Sequence, residues 1–246
     1  MFHAFLFGLL ATSSLILGGI IAIKYNLSSS LIGKIMGFGA GTLISAISYE
    51  LVFEAVKLGR GSYYPTYGFF SGALLFYGAD RLIGHFGAKN RLKLSEAKES
   101  NLIVPMVLAI ILDGIPESII IGLGFFKHQT GSLAMLVAVF ISNLPEAIAG
   151  SSGMKKGNWS NLKIISLWIF ITFLCALASM AGYSFFGDAS SEWLSFIQAF
   201  AGGAILMMLA NSMIPEAYEH GHKSAGVYTV VGFFVSVCVV VYENMG

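Results

Sequence analysis

LAIILDGIPESIIIGLG, residues 108–124, sits inside an apolar run over 101–126 and carries Asp113, Pro116 and Glu117 near its middle. A run of that length crosses the roughly 30 Å hydrocarbon core of a bilayer as a helix. An aspartate at the centre of such a helix costs about 2.5–3.5 kcal/mol even on the lenient insertion scale. Acids in this position persist where they face a polar interior and hold a proton or a cation. Asp113 and Glu117 are four residues apart, so they share one helical face. The run 131–154 repeats the pattern with Ser142, Asn143, Pro145 and Glu146, and IPESIIIG at 115–122 is echoed by LPEAIAG at 144–150. Neither run has a Lys or Arg near these acids. Pro116 and Pro145 lack an N–H and free the carbonyls of Leu112 and Ile141, which is tolerated where a helix lines a polar cavity. Carboxylates, a hydroxyl, an amide and freed carbonyls together make a cation-binding donor set. The plainer alternative is a pair of proline kinks with protonated, packed acids.

The rest of the composition fits a membrane chain. Of the 246 residues 56% are hydrophobic and 11% charged, less than half the roughly 25% charged in a globular chain. Mean hydropathy is +0.79. Gly (29) and Phe (20) are abundant, and Gly is frequent in membrane helices. The formal charge of +1 argues against a nucleic-acid partner. Continuous rather than alternating apolar runs exclude an outer-membrane barrel. Cys175 and Cys238 lie inside apolar runs without a CxxC, so neither a disulfide framework nor a thiolate metal site is expected. The first run, with no cationic stretch before it, reads as a retained span and not a cleaved signal.

The fold expected is all-α and polytopic. Eight spans are predicted over 2–23, 31–56, 64–85, 101–126, 131–154, 161–186, 191–218 and 225–244, in one transmembrane domain over 1–246. With both termini outside, the inner connections hold Lys24, Lys34, Arg81, Lys89, Arg91, Lys93, Lys98, Lys155, Lys156, Lys163 and Lys223, against Lys57, Arg60 and Lys127 outside. That bias sets the predicted orientation.

Spans two and seven are related at an offset of 162 residues: Phe38, Gly41, Glu54 and Ala55 match Phe200, Gly203, Glu216 and Ala217. An odd number of crossings separates them, so they run in opposite directions, the signature of an inverted repeat. The expected arrangement is 3+2+3, with repeat units over about 1–85 and 161–246 and central helices over 101–154. Rocking of the outer triplets would give alternating access.

The flanking spans suggest a path. Glu50 and Glu54 share a face of span two, with Glu54 toward the outer side. Glu216 and His220 are also four apart, a workable ligand pair for a divalent metal, and Glu219 and His222 cluster with them at the inner end of span seven. Solvated helix ends are the plain reading of that cluster. His3, His85 and His128 read as ordinary interface or loop residues.

Together these residues resemble the ZIP (Zrt/Irt-like protein) family of divalent metal transporters, over nearly the whole chain. Span four of that family carries H-N-x-P-E-G, where this chain has Asp113-Gly114-Ile115-Pro116-Glu117-Ser118. Span five carries a polar pair before Pro-Glu, matched by Ser142-Asn143-Leu144-Pro145-Glu146. Phe53-Glu54-Ala55 stands for a Pro-Glu-Ala run, and Ile214-Pro215-Glu216 matches I-P-E before the histidines. The departures are Asp113 for His, Gly114 for Asn, no acid in span six, and no His cluster in 86–100.

The resemblance implies a carrier importing zinc, or manganese or iron, across a plasma or bacterial inner membrane. Its metal site would draw on Asp113, Glu117, Ser142, Asn143 and Glu146, with Glu50, Glu54, Glu216 and His220 along the path. Oxygen-rich ligands would favour harder metals than a His-rich site does. No prosthetic group is expected beyond the transported ion. The partners are divalent metal ions and the lipid bilayer, and glycine-rich faces such as Gly37, Gly39 and Gly41 would let helices pack closely, a homodimer included. An intramembrane serine protease would have to use Gly150-Ser151-Ser152-Gly153, with no His at hand. A proton-coupled carrier of an organic substrate often pairs its acids with an intramembrane Lys or Arg, and the middles of spans four and five have none.

Overall fold

The structure is a computed structural model that describes residues 1–85, 103–127, 132–186 and 189–245. The 86–100 connection, His128, and the side chains of Asp113, His85 and Lys127 lie outside the described residues. Among the described residues all regular structure is helical. The helices are α1 (Phe2–Lys24), α2 (Ser29–Ala46), α3 (Phe53–Gly59), α4 (Tyr64–His85), α5 (Ile103–Lys127), α6 (Leu133–Lys156), α7 (Asn161–Phe186), α8 (Ser191–Met208), α9 (Ile214–Gly221) and α10 (Lys223–Met245).

Wide π turns join α2 to α3 (Ile47–Val52) and α8 to α9 (Leu209–Met213). Each trio forms one continuous rod of 31 residues. Among the described residues the chain thus forms eight long rods, and their limits follow the eight predicted spans to within a few residues. Six, namely α1, α2–α3, α6, α7, α8–α9 and α10, are long and apolar enough to cross a membrane. The other two, α4 and α5, have 22 and 25 residues, also spanning length at 1.5 Å per residue. Large apolar side chains are exposed along α10, among them Val227, Val230 and Phe234. That surface suits lipid rather than water, as for an integral membrane protein.

Caps punctuate the rods. Ser28, Ser132 and Ser190 accept hydrogen bonds from the amides of Leu31, Met135 and Trp193, each the third residue of its helix, satisfying donors that a helix start leaves free. Lys155 on α6 donates to the Ala22 and Ile23 carbonyls at the end of α1, where a cation also meets the negative end of the helix dipole. Both α5 and α6 continue through Pro116 and Pro145.

Small residues decide which rods touch. A Cβ on Gly41 would run into the Thr229 carbonyl on α10, and one on Gly232 into the Phe38 carbonyl on α2. The same arrangement joins α8 and α4: Gly203 meets the Phe69 carbonyl, and Gly72 the Phe200 carbonyl. Only glycine allows backbones this close. Phe38 and Gly41 match Phe200 and Gly203 at the offset of 162, and so do Ile47 and Leu209, which open the two π turns.

Two packed groups result. In one, α1 lies against α6 and α7, and α7 against α5. Buried hydrogen bonds reinforce it, from Trp168 Nε1 to Ser151 Oγ (2.7 Å), Thr172 Oγ1 to the Thr12 carbonyl (3.2 Å) and Ser179 Oγ to the Ala4 carbonyl (2.8 Å). In the other, α10 lies against α2, and α4 against α8. The groups meet where α2 and α10 border α6 and where α5 borders α8. This grouping differs from the expected outer triplets, since α1 and α7 pack with the central helices. A sequence repeat identifies equivalent helices; the small residues on each face determine their neighbours.

Candidate metal site

Glu117 and Glu146 are both buried, at 2% and 7% exposure, in the middle of α5 and α6. Ser142 and Asn143, one turn before Glu146, are buried too. Ser142 sits against α2, because a Cβ on Gly39 would lie 3.0 Å from the Ser142 Cα. Its hydroxyl donates to the Val139 carbonyl at 3.0 Å, leaving oxygen lone pairs for another partner. Asn143 Nδ2 is buried without a hydrogen-bond partner among the described residues. The α5 backbone places Asp113 one turn before Glu117. Among the described residues no three His, Cys, Asp or Glu side chains converge as a preformed metal cluster. The donors around Glu117 and Glu146 are therefore a mixed set of carboxylate, hydroxyl and amide. α5 and α6 touch over a short stretch only, and α1 fills much of the space beside them.

Cys175 was not among the expected ligands, yet α7 brings it to this region. It is 1% exposed, and a Cβ on Gly114 would lie 3.0 Å from its sulfur. Its sulfur lies near the Ser118 side chain and Glu117. Gly114 and Ser118 flank Glu117 in the Pro-Glu motif, so α7 puts a soft atom beside the hard donors. Isolated thiols in apolar runs usually mean packing, and the sequence had no signal to separate this one.

The remaining expected residues are spread along the rods. Glu54 pairs with Lys57 at 3.2 Å on α3, and Lys57 also lies over the Phe53 ring, 5.0 Å from its centre. Glu50 lies in the first π turn and lines a small cavity with Gln198 of α8. Glu216 is buried on α9, and His220 one turn later is half-buried. α9 packs against α2 at Gly33, where a Cβ would meet the backbone of His220 and Gly221. His220 Nε2 is buried without a hydrogen-bond partner among the described residues. Glu219 and His222 are exposed, and His222 turns the chain into α10 with a φ of +50°. The Gly-Ser-Ser-Gly stretch is committed to helix contacts: Ser151 accepts from Trp168, and Ser152 donates to the Ile148 carbonyl at 2.8 Å.

No family model matches the chain. A protein of Arabidopsis thaliana named "putative zinc transporter" is 26% identical to it over 190 residues, 76% of this chain and 30% of that protein. This chain thus spans under a third of that relative's length.

Chemically, buried acids in helices of spanning length can bind a cation, or take up protons when the cation leaves. Carboxylate and amide oxygens suit manganese or iron(II), and a thiol shifts preference toward zinc.

Proposed function

We propose that this chain carries a divalent transition metal across a membrane through a site between α5 and α6. The observation that carries this reading is the burial of Glu117 and Glu146 midway along two helices of spanning length. The Arabidopsis thaliana relative's name supports a metal transporter role and makes zinc the first cargo to test. The ligands proposed are Asp113, Glu117, Ser142, Asn143 and Glu146, with Cys175 as a soft donor from α7. Glu50, Glu54, Glu216 and His220 line the approaches.

The two halves of the chain form an inverted 3+2+3 repeat within one transmembrane domain, a reading supported by the matched glycine contacts and π turns. Both termini face outside, following the Lys and Arg bias, in a plasma or bacterial inner membrane. Transport proceeds by movement of the α1, α5, α6 and α7 group past the other group. The small residues at their border, Gly39 against Ser142, favour sliding over unpacking. This replaces rocking of the outer triplets. The ZIP resemblance is compatible with each of these points.

The test is uptake of radiolabelled zinc into proteoliposomes holding the full chain. Glu117→Gln and Glu146→Gln each abolish saturable uptake while the protein inserts normally. Normal uptake by both variants overturns the assignment of the site.

A further inference from the structure

A cavity separate from the central acids lies among the first π turn, the C-terminal half of α5, the start of α6 and α8. Its space open to a water-sized sphere is about 20 Å³, enough for one water or one bare cation. Glu50, Ser132 and Gln198 contribute polar side chains, and Ile120, Gly124 and Met135 form apolar wall.

Gln198 is the informative residue. It is 7% exposed, and its Oε1 is buried without a hydrogen-bond partner among the described residues. A buried carbonyl oxygen on a residue that lines a water-sized space calls for a donor or a cation. Glu50 supplies charge at the same cavity. It reaches this position from a π turn, a wide turn that recurs at functional sites because it re-aims side chains. Ser132 caps α6 through its oxygen and still has lone-pair capacity. Among the described residues the lining has neither Cys nor His. Oxygen donors alone select for charge and hardness, not for zinc over manganese.

The cavity also lies in line with the central acids. Ile120 and Gly124 are three and seven residues beyond Glu117 on α5, about 5 and 10 Å along the axis at 1.5 Å per residue. In the proposed orientation this is the outer side.

We propose that Glu50 and Gln198 form a second cation station, an oxygen-lined site that takes a divalent ion from outside before Glu117 and Glu146 receive it. This rests on the transporter reading above. Such a station sets how readily ions are captured; the central acids set whether they cross.

The experiment measures initial uptake of zinc and of manganese against outer concentration, in proteoliposomes of known sidedness. The proteins are the full chain, Gln198→Ala and Gln198→Glu. For both metals Gln198→Ala raises KM about threefold or more with Vmax little changed, the pattern of lost ground-state binding. Gln198→Glu keeps KM at or below the parent value. An unchanged KM in Gln198→Ala, or equal losses of Vmax in both variants, overturns the station and leaves the transporter reading standing.

Manganese binding to the detergent-solubilised full chain provides the second measurement. The parent binds one more ion per chain than Gln198→Ala, and Glu117→Gln retains the ion that Gln198→Ala loses. Equal stoichiometry in parent and Gln198→Ala overturns the station even if no variant transports. Absence of uptake by the parent itself overturns the transporter reading instead.

Discussion

Glu243, on the last turn of α10, accepts hydrogen bonds from the amides of Leu133 and Ala134 at the start of α6, the second at 3.2 Å. Ser132 takes the next amide, Met135, at 3.1 Å. Three of the donors that a helix start leaves free are thus satisfied, two of them from another helix. The carboxylate also faces the positive end of the α6 dipole. Because α6 and α10 belong to different packed groups, this contact ties the groups together.

Replacing Glu243 with Ala removes a cap and costs about 1 kcal/mol. Thermal unfolding in detergent should shift down by about 2–4 °C for a chain of this size. Glu243→Gln should lose less, since its amide oxygen still accepts one bond. A Glu243→Ala variant that melts with the parent would show that the contact adds nothing to stability.

Gly41 and Gly78 make a matched pair for testing the close approach of α2 and α10. A Cβ at Gly41 collides with backbone, whereas one at Gly78 meets nothing within 4 Å among the described residues. Gly41→Leu should destabilise by about 1–3 kcal/mol or more, seen as lost expression or a lowered melting temperature. Gly78→Ala should be neutral or stabilise by up to about 1 kcal/mol, as a helix-interior change. Equal behaviour of the two would show that α2 and α10 do not pack this way.

Ligand hardness gives a test of Asp113 and Cys175 together. Asp113→His introduces a nitrogen donor and should raise the zinc-to-manganese uptake ratio. Cys175→Ser removes the soft atom and should lower it, by about threefold or more if the thiol contacts the ion. A competition assay with both metals reads both changes. An unchanged ratio in Cys175→Ser would make the thiol a packing group of α7.

At the inner end the relevant residues are His220 and His222. If they receive the ion leaving Glu117 and Glu146, changing both to Ala should slow uptake several-fold without abolishing it, since imidazole is a transient ligand there. Initial rates in sided vesicles decide this, and parental rates would mean a solvated helix end. His222→Gly is a separate probe. Its φ of +50° is unfavourable for a residue with a Cβ, so glycine should gain about 1 kcal/mol of stability in a thermal melt.

Some of this protein was legible in one dimension. The length of an apolar run and the cost of an acid inside it are properties of a short stretch of chain. For that reason the eight rods, and Asp113, Glu117 and Glu146 as residues out of place in hydrocarbon, were readable before any fold. The kinship of Phe38 and Gly41 with Phe200 and Gly203 was readable for the same reason. Neighbours were not, because every membrane helix is apolar on most faces and lipid competes equally for each. Tertiary structure alone decided that Gly41 meets Thr229, that α1 and α7 pack with α5 and α6, and that Cys175 lies against Gly114. It also decided that Gln198, an ordinary polar residue in the sequence, shares a cavity with Glu50. These depend on backbones approaching at small residues and on two wide turns that rotate the helices beyond them. Both are relations between distant segments, which no local pattern of hydropathy encodes.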